Sequence, residues 1–193
     1  QWTAPTYAVT LHTNGGTINS GNVTGYTYGV GATLPTADDM TYTGYTFKGW
    51  YDNEGLTGSP VTAIGDTETG NKEYWAKWEA NAYTVTLNTN GGTINNGNVT
   101  EYTYGVGATL PTDVTRTGYT FKGWYDNENL TGSPVTAISN TETGNKEYWA
   151  KWEINQYTIT VKPENGKADI TITQDYGTPI TAPTLTREGY QFN

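Results

Sequence analysis

The chain contains no cysteine, which excludes disulfide bridges and thiolate metal sites. Histidine occurs only once, at His12. The sequence around it recurs further along the chain, where Asn88 takes the place of the histidine. A single histidine without cysteine argues against a hydrolytic triad or a zinc site. No apolar run approaches the length of a membrane-spanning helix, and no signal peptide is visible at Gln1, so we expect no direct membrane insertion.

Basic residues are also scarce. The chain has 10 Lys and Arg against 19 Asp and Glu, which gives a formal net charge of −9. Nucleic acids and anionic membranes repel such a surface, so both are poor candidate partners. Hydrophobic residues make up only 34% of the 193 residues, which argues against one large core.

Aromatic residues and glycine are abundant instead. The sequence has 16 Tyr, 7 Trp and 24 Gly, with many Thr and Asn. Thr, Tyr and Trp favour strands, whereas Gly and Asn favour turns. Rings bury large areas, so a small sheet can build its core from them. The composition therefore predicts a mainly β chain of small domains.

The sequence repeats itself with a period of 74 to 76 residues. Tyr7–Leu34 (YAVTLHTNGGTINSGNVTGYTYGVGATL) matches Tyr83–Leu110 (YTVTLNTNGGTINNGNVTEYTYGVGATL). After a two-residue deletion, GYTFKGWY and EYWAKWE recur in both copies. A diverged third copy begins at Tyr157, and Trp2 precedes Tyr7 as Trp78 precedes Tyr83. We predict residues 1–6 as the tail of a preceding repeat, repeats at 7–79 and 83–153, and a partial repeat at 157–193.

The segments that join the copies are short. Ala80-Asn81-Ala82 and Ile154-Asn155-Gln156 contain neither a Gly/Ser nor a Pro linker. Three residues leave little room for swinging, so we expect beads in a semi-rigid rod. The length change at Ala37–Thr43 marks a surface loop.

For one repeat, the sequence predicts about four strands and an irregular crossover at Asp126–Ile138. The strands are predicted at Tyr83–Leu87, Val99–Tyr104, Tyr119–Tyr125 and Lys146–Trp152. Asn90-Gly91 predicts a hairpin turn in which both residues have positive φ. Strict alternation places Tyr119, Phe121 and Tyr125 on one side of their strand, and Lys122 and Trp124 on the other. Trp124 and Trp149 could then stack on one face while Tyr148 and Trp152 enter the core. The alternative, which we favour for Trp124 and Trp152, is that the rings are core packing, because a small sheet needs bulk to close its core.

The order Y-T-V-T-x-N-x-N-G-G, L-P, G-Y-T-F-K-G-W-Y and Y-W-A-K-W resembles the Listeria–Bacteroides repeat, the B-repeat type of module of internalins and other Gram-positive surface proteins. The resemblance covers Tyr7–Trp78 and Tyr83–Trp152 in full and Tyr157–Phe192 in part. It implies a small β-grasp-like fold in an extracellular protein of the bacterial cell surface or cell wall. Such modules act as spacers, as adhesion units or as helpers to a binding domain at the tip, and the family offers no catalytic residues or cofactor to carry over.

Two sets of side chains are candidates for binding. Asp52 and Glu54, with Asp126 and Glu128 in the second copy, lie in oxygen-rich loops that could hold calcium. The alternative is that these loops are simply solvated. Four rings before these loops could form a sugar platform or simply pack in the core: Trp50, Tyr51, Trp124 and Tyr125.

Two functions follow, and an enzyme is not expected. The first is a non-catalytic spacer or stalk that projects an adhesin or other tip domain, with neighbouring repeats as its partners. The second is a module whose repeats themselves bind a host protein or glycan with avidity. An exposed aromatic patch outside the core would favour the second function.

Overall fold

The structure is a computed structural model that describes residues 1–191. Contacts divide the chain into two compact units. The first contains Gln1–Tyr83, Glu101–Gly107 and Ser139–Gly144. The second contains Thr84–Thr100, Ala108–Ile138 and the chain from Asn145 onward. The compact units therefore do not coincide with the sequence repeats, because two short segments of the second repeat belong to the first unit.

The described chain is mainly β, which confirms the prediction of tandem β repeats. Among residues 1–191, the one helical element is a 3₁₀ turn at Ala37–Asp39. The strands of the first repeat are β1 Thr6–His12, β2 Thr17–Ile18, β3 Gly25–Thr27, β4 Ala32–Thr33, β5 Met40–Thr41, β6 Tyr45–Tyr51, β7 Ala63–Ile64 and β8 Lys72–Ala80.

The second repeat contains β9 Ala82–Asn88, β10 Thr93–Ile94, β11 Glu101–Thr103, β12 Ala108–Thr109, β13 Val114–Thr115, β14 Tyr119–Tyr125, β15 Ala137–Ile138 and β16 Lys146–Ile154. The partial repeat contributes β17 Gln156–Val161 and β18 Ile170–Asp175. The four main strands of the second repeat thus lie where the alternation of apolar and polar residues predicted them.

Each complete repeat is built on one four-stranded mixed sheet. The strand order is β3-β1-β8-β6 in the first and β11-β9-β16-β14 in the second. The two central strands are parallel, with Val9 opposite Lys72 in one repeat and Val85 opposite Lys146 in the other. The outer strands β6 and β14 are antiparallel to their neighbours. The β-grasp assignment that the resemblance implies stays a prediction.

The Asn-Gly motifs adopt the predicted turn conformation but do not close the predicted hairpin. Asn14 and Gly15 have φ of 50° and 96°, and Asn90 and Gly91 have φ of 50° and 86°. After the turn, however, β2 pairs with β5 rather than with β1, because β1 pairs with β3 and β8. The Asn14 side chain instead donates to the Ala76 carbonyl at 2.8 Å, so the turn is tied to β8.

The predicted alternation along β14 is wrong after Phe121. Phe121 lies opposite Trp152 and Gly123 lies opposite Lys151, so Lys122 is the extra residue of a β-bulge. A bulge resets which face each later side chain occupies. Phe121 and Trp124 therefore lie together, with ring centroids 5.5 Å apart, and Phe121 also packs on Trp152. Trp124 enters the core instead of stacking with Trp149.

The core of the first repeat is a cluster centred on an indole. Trp50 is 1% exposed and is surrounded by the other buried members of the cluster. These are Val9, Tyr26, Leu34, Met40, Ile64, Tyr74 and Ala76. The second repeat buries the equivalent Val85, Tyr102, Leu110, Val114, Trp124, Ile138, Tyr148 and Ala150. No charged or polar residue is fully buried in the described chain, so these cores are held by apolar and aromatic packing.

Candidate functional site

The four rings considered for sugar binding all lie in the interior. Trp50 and Trp124 are 1% and 2% exposed, and Tyr51 and Tyr125 are 6% and 7% exposed. The indole N–H of Trp50 donates to the Pro35 carbonyl at 3.0 Å, and that of Trp124 donates to Pro111 at 2.8 Å. A sugar platform needs an open ring face, and these residues present none.

The oxygen-rich loops are organised by an asparagine. Asn53 donates from its side-chain amide to Asp52 Oδ1 at 2.9 Å and to the Thr57 carbonyl at 2.9 Å. Asn127 repeats both bonds, to Asp126 at 2.9 Å and to the Thr131 carbonyl at 3.0 Å. Glu54 and Glu128 are exposed. Across residues 1–191, no three His, Asp or Glu side chains converge in a way that could hold a metal ion.

His12 has a structural role, and its polar contact recurs at its counterpart Asn88. Its ring stacks on Trp75 at a centroid distance of 4.7 Å, and Nε2 lies 2.9 Å from Glu73 Oε2. In the second repeat, Asn88 donates to Glu147 Oε1 at 2.9 Å. Both side chains therefore bridge the two parallel central strands.

The most distinctive built feature is the joint between consecutive repeats. Strand β8 ends at Ala80 and β9 begins at Ala82, so a single residue, Asn81, separates them. The Asn81 N–H donates to the Gly44 carbonyl at 2.9 Å, and its own carbonyl accepts from the Tyr104 N–H at 2.9 Å. The joint is thus shorter than the three residues expected from the sequence.

The side chains of the joint lock the same residues together. Thr46 Oγ1 donates to Asn81 Oδ1 at 2.6 Å. Tyr104 meets Tyr45 edge to face, with centroids 5.4 Å apart, and its ring lies directly over Gly44. A Cβ on Gly44 would come within 2.3 Å of the Tyr104 ring, so only glycine permits this approach. All of these residues belong to the first compact unit.

The second joint reproduces the first. Asn155 alone separates β16 from β17; its N–H donates to Gly118 at 2.9 Å and its carbonyl accepts from Tyr176 at 2.8 Å. Thr120 Oγ1 donates to Asn155 Oδ1 at 2.6 Å. A Cβ on Gly118 would lie 2.0 Å from the Tyr176 ring. The same contacts therefore form twice, and this second set lies within the second compact unit.

A lysine–glutamate pair lies near each joint: the glutamate is on the strand that leads into the joint, and the lysine is on the antiparallel strand beside it. Lys48 Nζ lies 2.6 Å from Glu79 Oε2, and Lys122 Nζ lies 2.9 Å from Glu153 Oε2. The hydrogen bond from Lys48 lowers the pKa of Glu79, and that from Lys122 lowers the pKa of Glu153. The hydrogen bond to Glu153 likewise raises the pKa of Lys122. These groups are solvent-exposed, so the pairs add only modestly to stability.

Two recurring motifs in the sequence mark the joints. Gly-Tyr-Thr recurs at Gly44 and Gly118, and asparagine stands in the middle of both short joints. Tyrosine also recurs at Tyr28, Tyr104 and Tyr176. Recurrence alone does not show that residues of different copies meet.

The chain belongs to the Listeria-Bacteroides repeat domain family. The family profile matches residues 7–77, 83–151 and 157–193, which confirms the resemblance found in the sequence motifs. No solved structure matches the chain significantly.

Two curated relatives come from Evansella cellulosilytica. One, named "Putative Gly-rich membrane protein", is 33% identical over 197 residues, which is all of this chain and 21% of the relative. Another, named "Putative membrane protein", is 33% identical over 193 residues, again all of this chain and 28% of the relative. The chain thus spans between a fifth and a third of the length of these relatives. Within residues 1–191, no helix has the length and apolarity required to cross a bilayer.

Proposed function

We propose that this chain is a non-catalytic spacer segment of a bacterial cell-surface protein, and that its repeats form a semi-rigid stalk that projects a tip domain such as an adhesin. The observation that carries the proposal is the joint, which is built twice from the same contacts around Asn81 and Asn155. A stalk must transmit position along its length, and single-residue joints with side-chain locks serve that purpose better than flexible linkers.

The construction of each joint favours mechanical coupling. Two backbone hydrogen bonds and one side-chain hydrogen bond act on the single connecting residue, and a ring-on-glycine contact packs the residues beside it. In a tandem array in which each unit contacts mainly its neighbours, the length scales with the number of copies. Near-identical copies such as Tyr7–Leu34 and Tyr83–Leu110 suit a part whose function depends on copy number.

The proposed location of this chain is outside the cell. Membership of the Listeria-Bacteroides repeat family and the membrane-protein names of two longer relatives support a surface location. The acidic chain, with net charge −9, suits a solvated surface that repels its neighbours. Recognition of a host protein or glycan by the repeats themselves remains the alternative, and the burial of Trp50 and Trp124 removes its first candidate surface.

Small-angle X-ray scattering tests the proposal. The natural chain is compared with a variant in which Ala80–Ala82 and Ile154–Gln156 are replaced by long Gly-Ser linkers. A matched control carries an insertion of the same linker after Gly132, an exposed loop glycine whose Cβ position is empty. We expect the natural chain and the control to be more extended and stiffer than the linker variant. Equal flexibility in all three would contradict the stalk and favour independent binding modules.

A further inference from the structure

A cleft in the first repeat combines one aromatic ring with several polar side chains. It lies between the loop that follows β7 and the first residues of β8, and its volume is about 600 Å³. The half-buried Trp75 lines it together with five polar residues: Asp52, Glu68, Asn71, Lys72 and Glu73. All of them belong to the first compact unit. A concave site with an aromatic wall and a few polar groups is the usual form of a small-molecule site.

The indole of Trp75 is held in place by its neighbours. Tyr74 and Ala76 on the same strand are buried in the core, so Trp75 lies on the opposite face of the sheet. There the His12 ring stacks on the indole, with centroids 4.7 Å apart and planes 12° from parallel. His12 is in turn bound to Glu73 at 2.9 Å. A ring that is already fixed loses little conformational entropy when a ligand packs on its open surface.

The polar groups of the cleft include both acceptors and donors. Two exposed carboxylates supply acceptors: Asp52 and Glu73. Asn71 accepts a hydrogen bond from the Ala8 N–H at its Oδ1, at 3.0 Å, which fixes the amide and leaves its NH₂ group as a donor. Lys72 is paired with Glu68 at 2.6 Å, so its charge is neutralised. A sugar hydroxyl both donates and accepts, whereas a cationic side chain needs acceptors only.

We propose that this cleft binds a neutral oligosaccharide, with the apolar face of one sugar ring packed on Trp75 and its hydroxyl groups bonded to Asp52, Glu73 and Asn71. Three carboxylates line the cleft against one lysine, so an acidic sugar is repelled. The residues that line the cleft are not those of the joints, so sugar binding is a further activity that does not depend on the stalk.

NMR titration of the whole chain tests the site with three neutral trisaccharides: cellotriose, maltotriose and tri-N-acetylchitotriose. The indole N–H signals are followed, and that of Trp75 is assigned from the variant Trp75→Phe. We expect at least one trisaccharide to shift the Trp75 signal saturably, while the signal of the buried Trp124 stays in place. Trigalacturonic acid, which is anionic, should leave the Trp75 signal unchanged.

Isothermal titration calorimetry of variants with the best trisaccharide tests the assigned roles. Trp75→Ala should weaken binding about tenfold, because the stacking surface is lost. Glu73→Gln keeps the size of the side chain and an acceptor oxygen but loses the charge that strengthens the hydrogen bond, so binding should weaken about threefold. The control Glu54→Gln makes the same change of net charge at an exposed residue that does not line the cleft, and should leave affinity unchanged.

Three results would overturn the proposal. The first is that no trisaccharide shifts the Trp75 signal. The second is that Glu73→Gln and Glu54→Gln have equal effects on affinity. The third is that trilysine shifts the Trp75 signal at lower concentration than every trisaccharide, which would make the cleft a site for cationic peptides.

Discussion

Substitution of the joint glycine tests the packing between neighbouring repeats. Gly44 has φ of 78°, and a Cβ at this position would lie 2.3 Å from the Tyr104 ring. Gly58 has φ of 86° but an empty Cβ position, so it is a matched control for backbone strain alone. Gly58→Ala should cost about 1 kcal/mol, the penalty for a left-handed alanine.

Gly44→Ala adds a steric clash to the same strain. Forcing atoms into a packed contact costs about 1–3 kcal/mol, so the total loss should reach about 2–4 kcal/mol. Because the clash needs the tyrosine ring, Gly44→Ala and Tyr104→Ala together should cost less than the sum of the two single changes. Urea unfolding of the wild type and the four variants gives these free energies directly. Equal costs for Gly44→Ala and Gly58→Ala, or strict additivity with Tyr104→Ala, would refute the assigned contact.

Four further outcomes are expected. Trp124→Ala should destabilise the chain by about 3–5 kcal/mol in urea unfolding, whereas the fully exposed Trp2→Ala should change it by less than about 0.5 kcal/mol. Gly123→Ala at the bulge, with φ of 117° and Pro134 2.7 Å from the added Cβ, should cost more than Gly132→Ala, whose Cβ position is empty. Lys48 and Lys122 lower the pKa of Glu79 and Glu153. The stability that these ion pairs add is therefore present above the ordinary glutamate pKa of about 4.3 and is lost as pH falls through the lowered pKa values. The melting temperature of the double variant Lys48→Met/Lys122→Met should accordingly depend less on pH below about 4.3 than that of the wild type. Millimolar calcium should leave the melting temperature unchanged, because Asn53 and Asn127 already organise their loops; a clear rise would restore the calcium hypothesis.

The main strands could be predicted from sequence because their signals are local. Tyr119–Tyr125 was predicted with the bounds that the structure shows, and the strand at Lys146 was predicted to within two residues of its end. Period-two alternation and aromatic content act within a few residues, so no knowledge of the fold is needed to detect them.

Burial of Trp124 could be predicted, but the face of β14 on which it lies could not, because one extra residue reverses the alternation. Lys122 bulges out of β14 and Gly123 adopts a φ of 117° beneath Pro134. Nothing in the spacing of GYTFKGWY marks the bulge, although a glycine inside a strand is a reason to suspect one. The same limit explains the rings proposed for sugar binding, since the bulge moves Trp50 and Trp124 into the core.

The contacts at the joints could not be predicted from the sequence for a different reason. Their contacts connect Gly44 with Tyr104 and Gly118 with Tyr176, residues about 60 positions apart that belong to different copies. A repeat pattern reveals which residues recur but not which of them meet across a boundary. The single-residue length of each joint was likewise hidden, because the strands β8 and β9 extend further than the alternation indicates.

A stalk requires joints that hold neighbouring repeats in a fixed relation. The absence of cysteine allows spin labels at two introduced cysteines, Thr10→Cys and Thr86→Cys, which are exposed and equivalent in β1 and β9. Pulsed electron–electron double resonance then measures the distribution of distances between them. The stalk predicts a narrow distribution that broadens when Asn81→Gly and Tyr104→Ala remove the joint contacts. A broad distribution that these changes leave unaltered would show that the joint does not couple the repeats, and would contradict the proposed function.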